Sequence, residues 1–227
     1  MTRHLIKTAA LAIAAVLTIG ATTPRADWTG TVNTTPTQTH VMGNPDAKVK
    51  VTEFLSYTCS HCAHFHKESE GMLRARYIAS GKVSVEVQHL VRDPIDLTVA
   101  MLANCGTPRT FARVHNAFLQ TQDKWMPLMG KATDVQKQRW TTGPVPQRMQ
   151  AIARDFGFYP TLEAAGVSRV QADQCLADEA MMGKLLGQTR AAMDAGVTGT
   201  PSFMINGTLL DETHDWATLN TAINQAI

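Results

Sequence analysis

Apolar residues change period along this chain, and the changes divide it into zones. Val49, Val51 and Leu55 fall on one parity and end at Tyr57-Thr58, the alternation of a half-buried strand. From Cys59 to Ile78 the spacing is helical, with Phe65, Met72 and Leu73 as apolar positions and a stop near Ser80-Gly81. Val83, Val85 and Val87 then alternate with Ser84, Glu86 and Gln88, predicting a second strand and a β-α-β unit. About a hundred residues of helical spacing follow, too long for a loop. Leu97, Met101 and Cys105 repeat at i, i+4, i+8, while Phe111, Val114 and Phe118, and later Met149, Ile152 and Phe156, repeat at i, i+3, i+7. Met182, Leu185, Leu186 and Met193 predict a long helix ending at Gly196; all these stripes read as core packing. Strand character returns over 202–205 and 208–210 around Asn206-Gly207, a hairpin signal because both turn residues need positive φ. A closing helix carries Trp216, Leu219 and Ile223 on one face, with Thr213 as its expected cap.

The expected fold class is therefore α/β: β-α-β, a helical insertion, then β-β-α. Residues 46–93 and 190–227 are assigned to the α/β domain and 94–189 to the inserted all-helical domain. Residues 27–45, rich in Thr, Asn, Gly and Pro, read as an extended N-terminal segment. Residues 1–26 read as a cleaved signal peptide. Arg3, His4 and Lys7 precede the apolar run from Ala9 to Gly20, which has the length of a secretory core and contains Thr18. An uncleaved anchor is the alternative, but the run is short for a bilayer span.

With 227 residues, 44% apolar and 18% charged, the composition is that of an ordinary globular chain. A net charge of +2 gives no argument for nucleic acid. Removing 1–26 takes away Arg3, Lys7 and Arg25 and no acid, leaving the remainder close to neutral. No stable membrane insertion is expected after that removal. Export changes the reading of the four cysteines, which in an oxidising compartment are expected to pair. Spacing favours Cys59 with Cys62, and Cys105 with Cys175; two buried free thiols are the alternative for the second pair.

Chemistry concentrates at Cys59-Ser60-His61-Cys62, at a strand-to-helix junction. Free N–H groups and the positive end of the helix dipole favour an anion at Cys59, with a thiol pKa in the range of about 3.5–7.5. Cys62, one turn inside, is the expected resolving thiol, and attack on the disulfide at Cys59 gives a mixed disulfide. His61 is expected to stabilise the thiolate; a solvent-facing ring without a role is the alternative. Glu53 shares parity with apolar neighbours, so a raised pKa and proton exchange with Cys62 are expected, unless a lysine pairs with it.

The segment Val51-Thr52-Glu53-Phe54-Leu55-Ser56-Tyr57-Thr58-Cys59-Ser60-His61-Cys62, taken with Val197-Thr198-Gly199-Thr200-Pro201-Ser202-Phe203 and Asn206-Gly207, resembles the DsbA family of periplasmic thiol:disulfide oxidoreductases. The resemblance covers roughly residues 40–227. It implies a thioredoxin fold with an inserted helical domain, a cis Pro201 facing the cysteines, and substrate backbone pairing at Thr200. It also implies substrates that are unfolded or partly folded exported proteins with free thiols, an inner-membrane redox partner, and no cofactor or metal. The alphaproteobacterial branch is similar in having a second disulfide, which here would join Cys105 to Cys175. Ser60, where the best-known members carry Pro, and Thr200, where they commonly carry Val, leave the direction of electron flow open.

Three rival readings remain. A reductase or isomerase would use Cys59 in the same way. A copper- or zinc-binding protein would draw on Cys59, Cys62, His61, His64 and His66, although His64 and His66 are expected to be surface helix residues. A binding module would use the cysteine pair only as a staple.

Overall fold

A computed structural model of the chain describes residues 27–227. The expected signal peptide lies outside the described residues. A short turn of 3-10 helix (Trp28–Gly30) leads into strands β1 (Val32–Thr34), β2 (His40–Gly43) and β3 (Val49–Leu55). Helix α1 (Ser60–Met72) follows and runs into a π-helical turn (Leu73–Ile78), then β4 (Val83–His89). The helical stretch comprises α2 (Pro94–Ala103), α3 (Pro108–Gln120), α4 (Gln122–Trp125), α5 (Pro127–Lys131), α6 (Asp134–Thr141), α7 (Val145–Asp155), α8 (Tyr159–Ala164), α9 (Arg169–Cys175) and α10 (Glu179–Asp194). Strands β5 (Ser202–Ile205) and β6 (Thr208–Leu209) and helix α11 (Trp216–Ala226) complete the chain.

The six strands form one mixed sheet in the order β1-β2-β4-β3-β5-β6. Only β3 and β4 are parallel, as a β-α-β crossover requires. β5 pairs antiparallel with β3, which sets Phe203 opposite Glu53. The 27–45 segment thus does more than lead in, since β1 and β2 extend the sheet beyond β4. Asn206 (φ 51°) and Gly207 (φ 82°) both hold the positive φ that the hairpin reading requires.

Helices cover both faces of the sheet. Val49, Val51, Val83 and Val85 pack with Phe65, Tyr77, Leu219 and Ile223 from the α1 and α11 side. Phe54, of opposite parity, packs with Ala192 and Val197. Toward the end of β3 the first face passes into a larger cluster in which Leu55 and Val87 join the helical insertion. Glu53 lies on that face, between the two clusters. The insertion stripes are buried as expected, with Phe111, Val114, Phe118, Met149 and Ile152 each 2% exposed or less. Cys105 and Cys175 are joined by a disulfide across 70 residues. Closing a loop of that length contributes roughly 4 kcal/mol in the chain-entropy model.

Four local expectations need correction. Asp215, not Thr213, caps α11, because its carboxylate accepts from Thr218 N (2.8 Å) from the position directly before the helix. Met193 and Met72 are exposed (62% and 45%), each on the outer side of its helix. Cys105 lies beyond the end of α2, in the turn that follows, although it is as buried as the helical stripe predicts. His66 is buried under α3 rather than on the surface, held by a hydrogen bond between Nε2 and Asn116 Oδ1 at 2.9 Å.

Candidate active site

Cys59 is the N-cap residue of α1, with extended backbone (φ −94°, ψ 116°). Such a residue has unsatisfied helix N–H groups in front of it, which suit an anion. Both Cys59 and Cys62 are free thiols here and are buried, at 3% and 0% exposure. The Cys62 thiol beside it lowers the Cys59 pKa from 9.0 to about 4. The Thr200 hydroxyl and the N–H groups of Cys62 and His61 act in the same direction, against desolvation. Burial, reinforced by the neighbouring Cys59 sulfur, pushes the Cys62 thiol well above its ordinary value. One sulfur is thus a thiolate at neutral pH and the other holds its proton.

The loop bearing Cys59 is held from three sides. The Asp96 carboxylate, one turn into α2, accepts from Ser56 Oγ (2.6 Å), Tyr57 N (2.7 Å) and Arg92 N (2.9 Å). Asp93 caps α2 by accepting from Ile95 N and Asp96 N, and also takes the Thr58 hydroxyl at 2.6 Å. Gln122 Nε2 donates to Tyr57 O (2.7 Å) and Cys59 O (2.9 Å). Beneath the loop the Tyr57 hydroxyl meets His115 Nδ1 at 2.9 Å. Sequence reasoning missed Asp96, Gln122 and His115. Only the Asp93-Pro94 helix start announced any part of this framework, through the preference for Asp at a cap and Pro in the first turn.

The Thr200-Pro201 peptide bond is cis. The Thr200 carbonyl oxygen lies 3.2 Å from Cys59 Sγ and accepts from it only while the thiol is protonated, which brings this segment against the Cys59 sulfur. The Thr200 hydroxyl is buried and makes no other hydrogen bond, so it is free to donate to the neighbouring Cys59 sulfur once that is a thiolate. His214 Nδ1 donates to Pro201 O (2.8 Å), tying the segment to the loop before α11. Of the expected site residues, Cys59, Cys62, Thr200 and Pro201 therefore come together. His61 is exposed in the first turn of α1, and its backbone N–H favours the thiolate while its ring makes no hydrogen bond among the described residues.

Glu53 is 4% exposed, its Oε1 has no partner, and no ion pair to it occurs among the described residues. Burial alone raises its pKa from 4.5 to about 8. A carboxyl poised near neutral pH on the sheet face that leads to the cysteine loop has the properties of a proton-exchange group. No cluster of three or more His, Cys, Asp or Glu suited to a metal ion occurs among the described residues.

This geometry can be set beside known proteins. The family model described as Thioredoxin matches residues 34–225, most of the chain. The chain belongs to the thioredoxin family. A solved protein-disulfide isomerase from Novosphingobium aromaticivorans is 44% identical, with a TM-score of 0.78 over 88% of this chain and 97% of that one. Wolbachia pipientis alpha-DsbA1 shares the fold at 21% identity, with a TM-score of 0.61 over 82% of this chain and 89% of that one. The expectation of a DsbA-type thioredoxin fold with a helical insertion is met in these likenesses. Two Rickettsia proteins named as protein-disulfide oxidoreductases, from R. bellii and R. typhi, are each 29% identical over 82% of this chain. The chain spans 64% and 61% of their respective lengths.

Proposed function

We propose that this thioredoxin-family chain is an exported thiol:disulfide oxidoreductase that gives its Cys59–Cys62 disulfide to other exported proteins. A substrate thiolate attacks Cys59 Sγ, breaking the Cys59–Cys62 bond and forming a mixed disulfide, and Cys62 leaves and takes up a proton. A second substrate thiolate then displaces Cys59. The substrate loses two electrons and gains a disulfide, and the enzyme is left as the dithiol. An inner-membrane partner that accepts two electrons restores the disulfide. Glu53 exchanges the proton that Cys62 gains or loses, and the Thr200-Pro201 segment aligns the extended substrate chain.

The difference between the two thiols carries this reading, Cys59 being lowered to about 4 while Cys62 is raised. A stable Cys59 thiolate stabilises the reduced form and so makes the disulfide a stronger oxidant. The names of the Novosphingobium and Rickettsia relatives agree with disulfide exchange in general, and the first of them favours isomerisation as a second reading.

Equilibration with glutathione buffers tests the direction. A Cys59–Cys62 potential of about −120 to −180 mV is expected, whereas about −270 mV would make the protein a reductase in need of an electron supply. Refolding of a protein with scrambled disulfides separates oxidase from isomerase. An isomerase recovers native pairings in the reduced state, and an oxidase only speeds the appearance of disulfides.

A further inference from the structure

A cavity of about 590 Å³ opens between α1, its π-helical extension, α3 and the N-terminal strands, away from the cysteine sulfurs. Neither Cys59, Cys62 nor Pro201 lines it. Its volume falls within the ordinary range of small-molecule sites, about 300–1,000 Å³. The walls are apolar where Met42, Leu73, Ile78, Val85 and Ala112 meet. Polar groups converge in its buried part: Glu53, with Oε1 unpartnered, stands with His66 and His115. An apolar enclosure with a few inward polar groups is the usual composition of a ligand pocket.

Charge at the opening is one-sided. Arg74, Arg109 and Arg113 are all exposed lining residues, and Glu70 is the acid among them. Arg74 Nη1 lies 4.0 Å from Glu70, and Arg113 Nη2 donates to Ala165 O. Arg109 has no ion pair or side-chain hydrogen bond among the described residues. Glu53, buried and near-neutral at pH 7, adds little opposing charge. Guanidinium groups are the side chains best suited to carboxylate, sulfonate or phosphate oxygens.

We infer that this cavity is a binding site for an amphipathic organic anion, with its apolar body between α1, α3 and the sheet and its acidic head on the arginine rim. The inner end of such a molecule would meet Glu53, His66 and His115, so a ligand with a hydrogen-bonding group opposite its acid fits best. The cysteine sulfurs do not line the site, which shares only Glu53 with the proposed disulfide chemistry, so binding stands whether or not Cys59 and Cys62 exchange with substrates.

Titration of the purified protein with anilinonaphthalene sulfonate, and with N-phenylnaphthylamine as the same ring system lacking the sulfonate, tests this. Wild type should bind the anion more tightly by on the order of tenfold or more, the scale of one charge-assisted hydrogen bond. The double variant R74E/R109E, changed only at exposed positions, should lose that preference and keep its affinity for the uncharged probe. Ala112→Trp, which fills the cavity from α3, should abolish binding of both while unfolding at an unchanged midpoint. Equal affinity for the two probes, or a preference that survives in R74E/R109E, would overturn the anion assignment. Undiminished binding to Ala112→Trp, or no binding to wild type, would overturn the site itself.

Discussion

At Cys59 a thiolate is assembled from groups that the chain supplies at three separate places. The helix start contributes N–H groups, Cys62 a thiol one turn away, and Thr200 a hydroxyl from 141 residues further along. The Thr200 contribution can be removed without touching the sulfurs. In Thr200→Val the ultraviolet thiolate absorbance of reduced protein should titrate about one pH unit higher than in wild type. That is the value of one hydrogen bond to a charged acceptor. The potential of the pair should become more negative by roughly 30 mV, since a less stable thiolate means a less stable reduced form. An unchanged titration would mean that the hydroxyl does not act on the sulfur. Cys59 and Cys62 were legible from the sequence because their chemistry is set by spacing of three and by a local strand-to-helix junction. The effect of Thr200 was not legible, because nothing in the chain near residue 200 says which sulfur its hydroxyl meets. His61 shows the reverse case, in which a residue conspicuous in sequence has its ring in solvent and acts through its backbone.

Among the elements, α2 holds the loop that bears Cys59 although it is the first helix of the insertion. Asp96 turns its carboxylate back to β3's end and satisfies two backbone N–H groups and one hydroxyl in a buried setting. Its pKa is raised to about 7 by burial, with the Ser56, Arg92 and Tyr57 donors pulling the other way. Asp96→Ala leaves those donors unpaired, and each buried unsatisfied group costs about 1–3 kcal/mol. A loss of about 3 kcal/mol or more is expected in denaturant unfolding, together with slower disulfide exchange as the Tyr57–Cys59 loop loosens. Loss of stability with normal exchange would show that the loop is set by Gln122 and Asp93 alone. The parallel β3–β4 unit, the hairpin and the insertion stripes were legible because their periods are fixed by backbone geometry. The tertiary polar contacts were not. Asp96 reads in sequence as an ordinary acid in a first helical turn, where the dipole alone would account for it. His66 reads as a surface residue for a related reason: its polar type says nothing of the α3 helix that covers it.

For the whole molecule, buried imidazoles and buried carboxyls oppose one another and together set the pH of greatest stability. Burial lowers His40 to about 4 and His89 to about 3, and it lowers His66 and His115 as well. A histidine depressed in the folded state supports stability above its unfolded pKa of about 6.5 and withdraws that support as pH falls. Glu53 and Asp96 do the opposite. Raised to about 8 and about 7, they hold protons that the unfolded chain has released, so their support is full at low pH and is lost as pH rises through those values. Between about pH 6.5 and 4.5 the unfolded chain gains up to four histidine protons while the folded chain holds two carboxyl protons that the unfolded chain lacks. The surplus of histidine protons over carboxyl protons lowers stability on acidification through this range. Between pH 7 and 8 the unfolded histidines shed their remaining protons and the carboxyl difference dominates, so stability falls as pH rises. Stability of the disulfide form, in which Cys59 and Cys62 do not titrate, should therefore peak near pH 6.5–7. Glu53→Gln should flatten the alkaline side and steepen the acid side, because one of the two opposing protons is gone. Denaturant midpoints measured at half-unit steps from pH 4.5 to 8 decide the matter. If stability instead climbs steadily to pH 8 in wild type, the buried Glu53 carboxyl is paired or solvated in solution, and its assignment as the proton-exchange group for Cys62 fails with it.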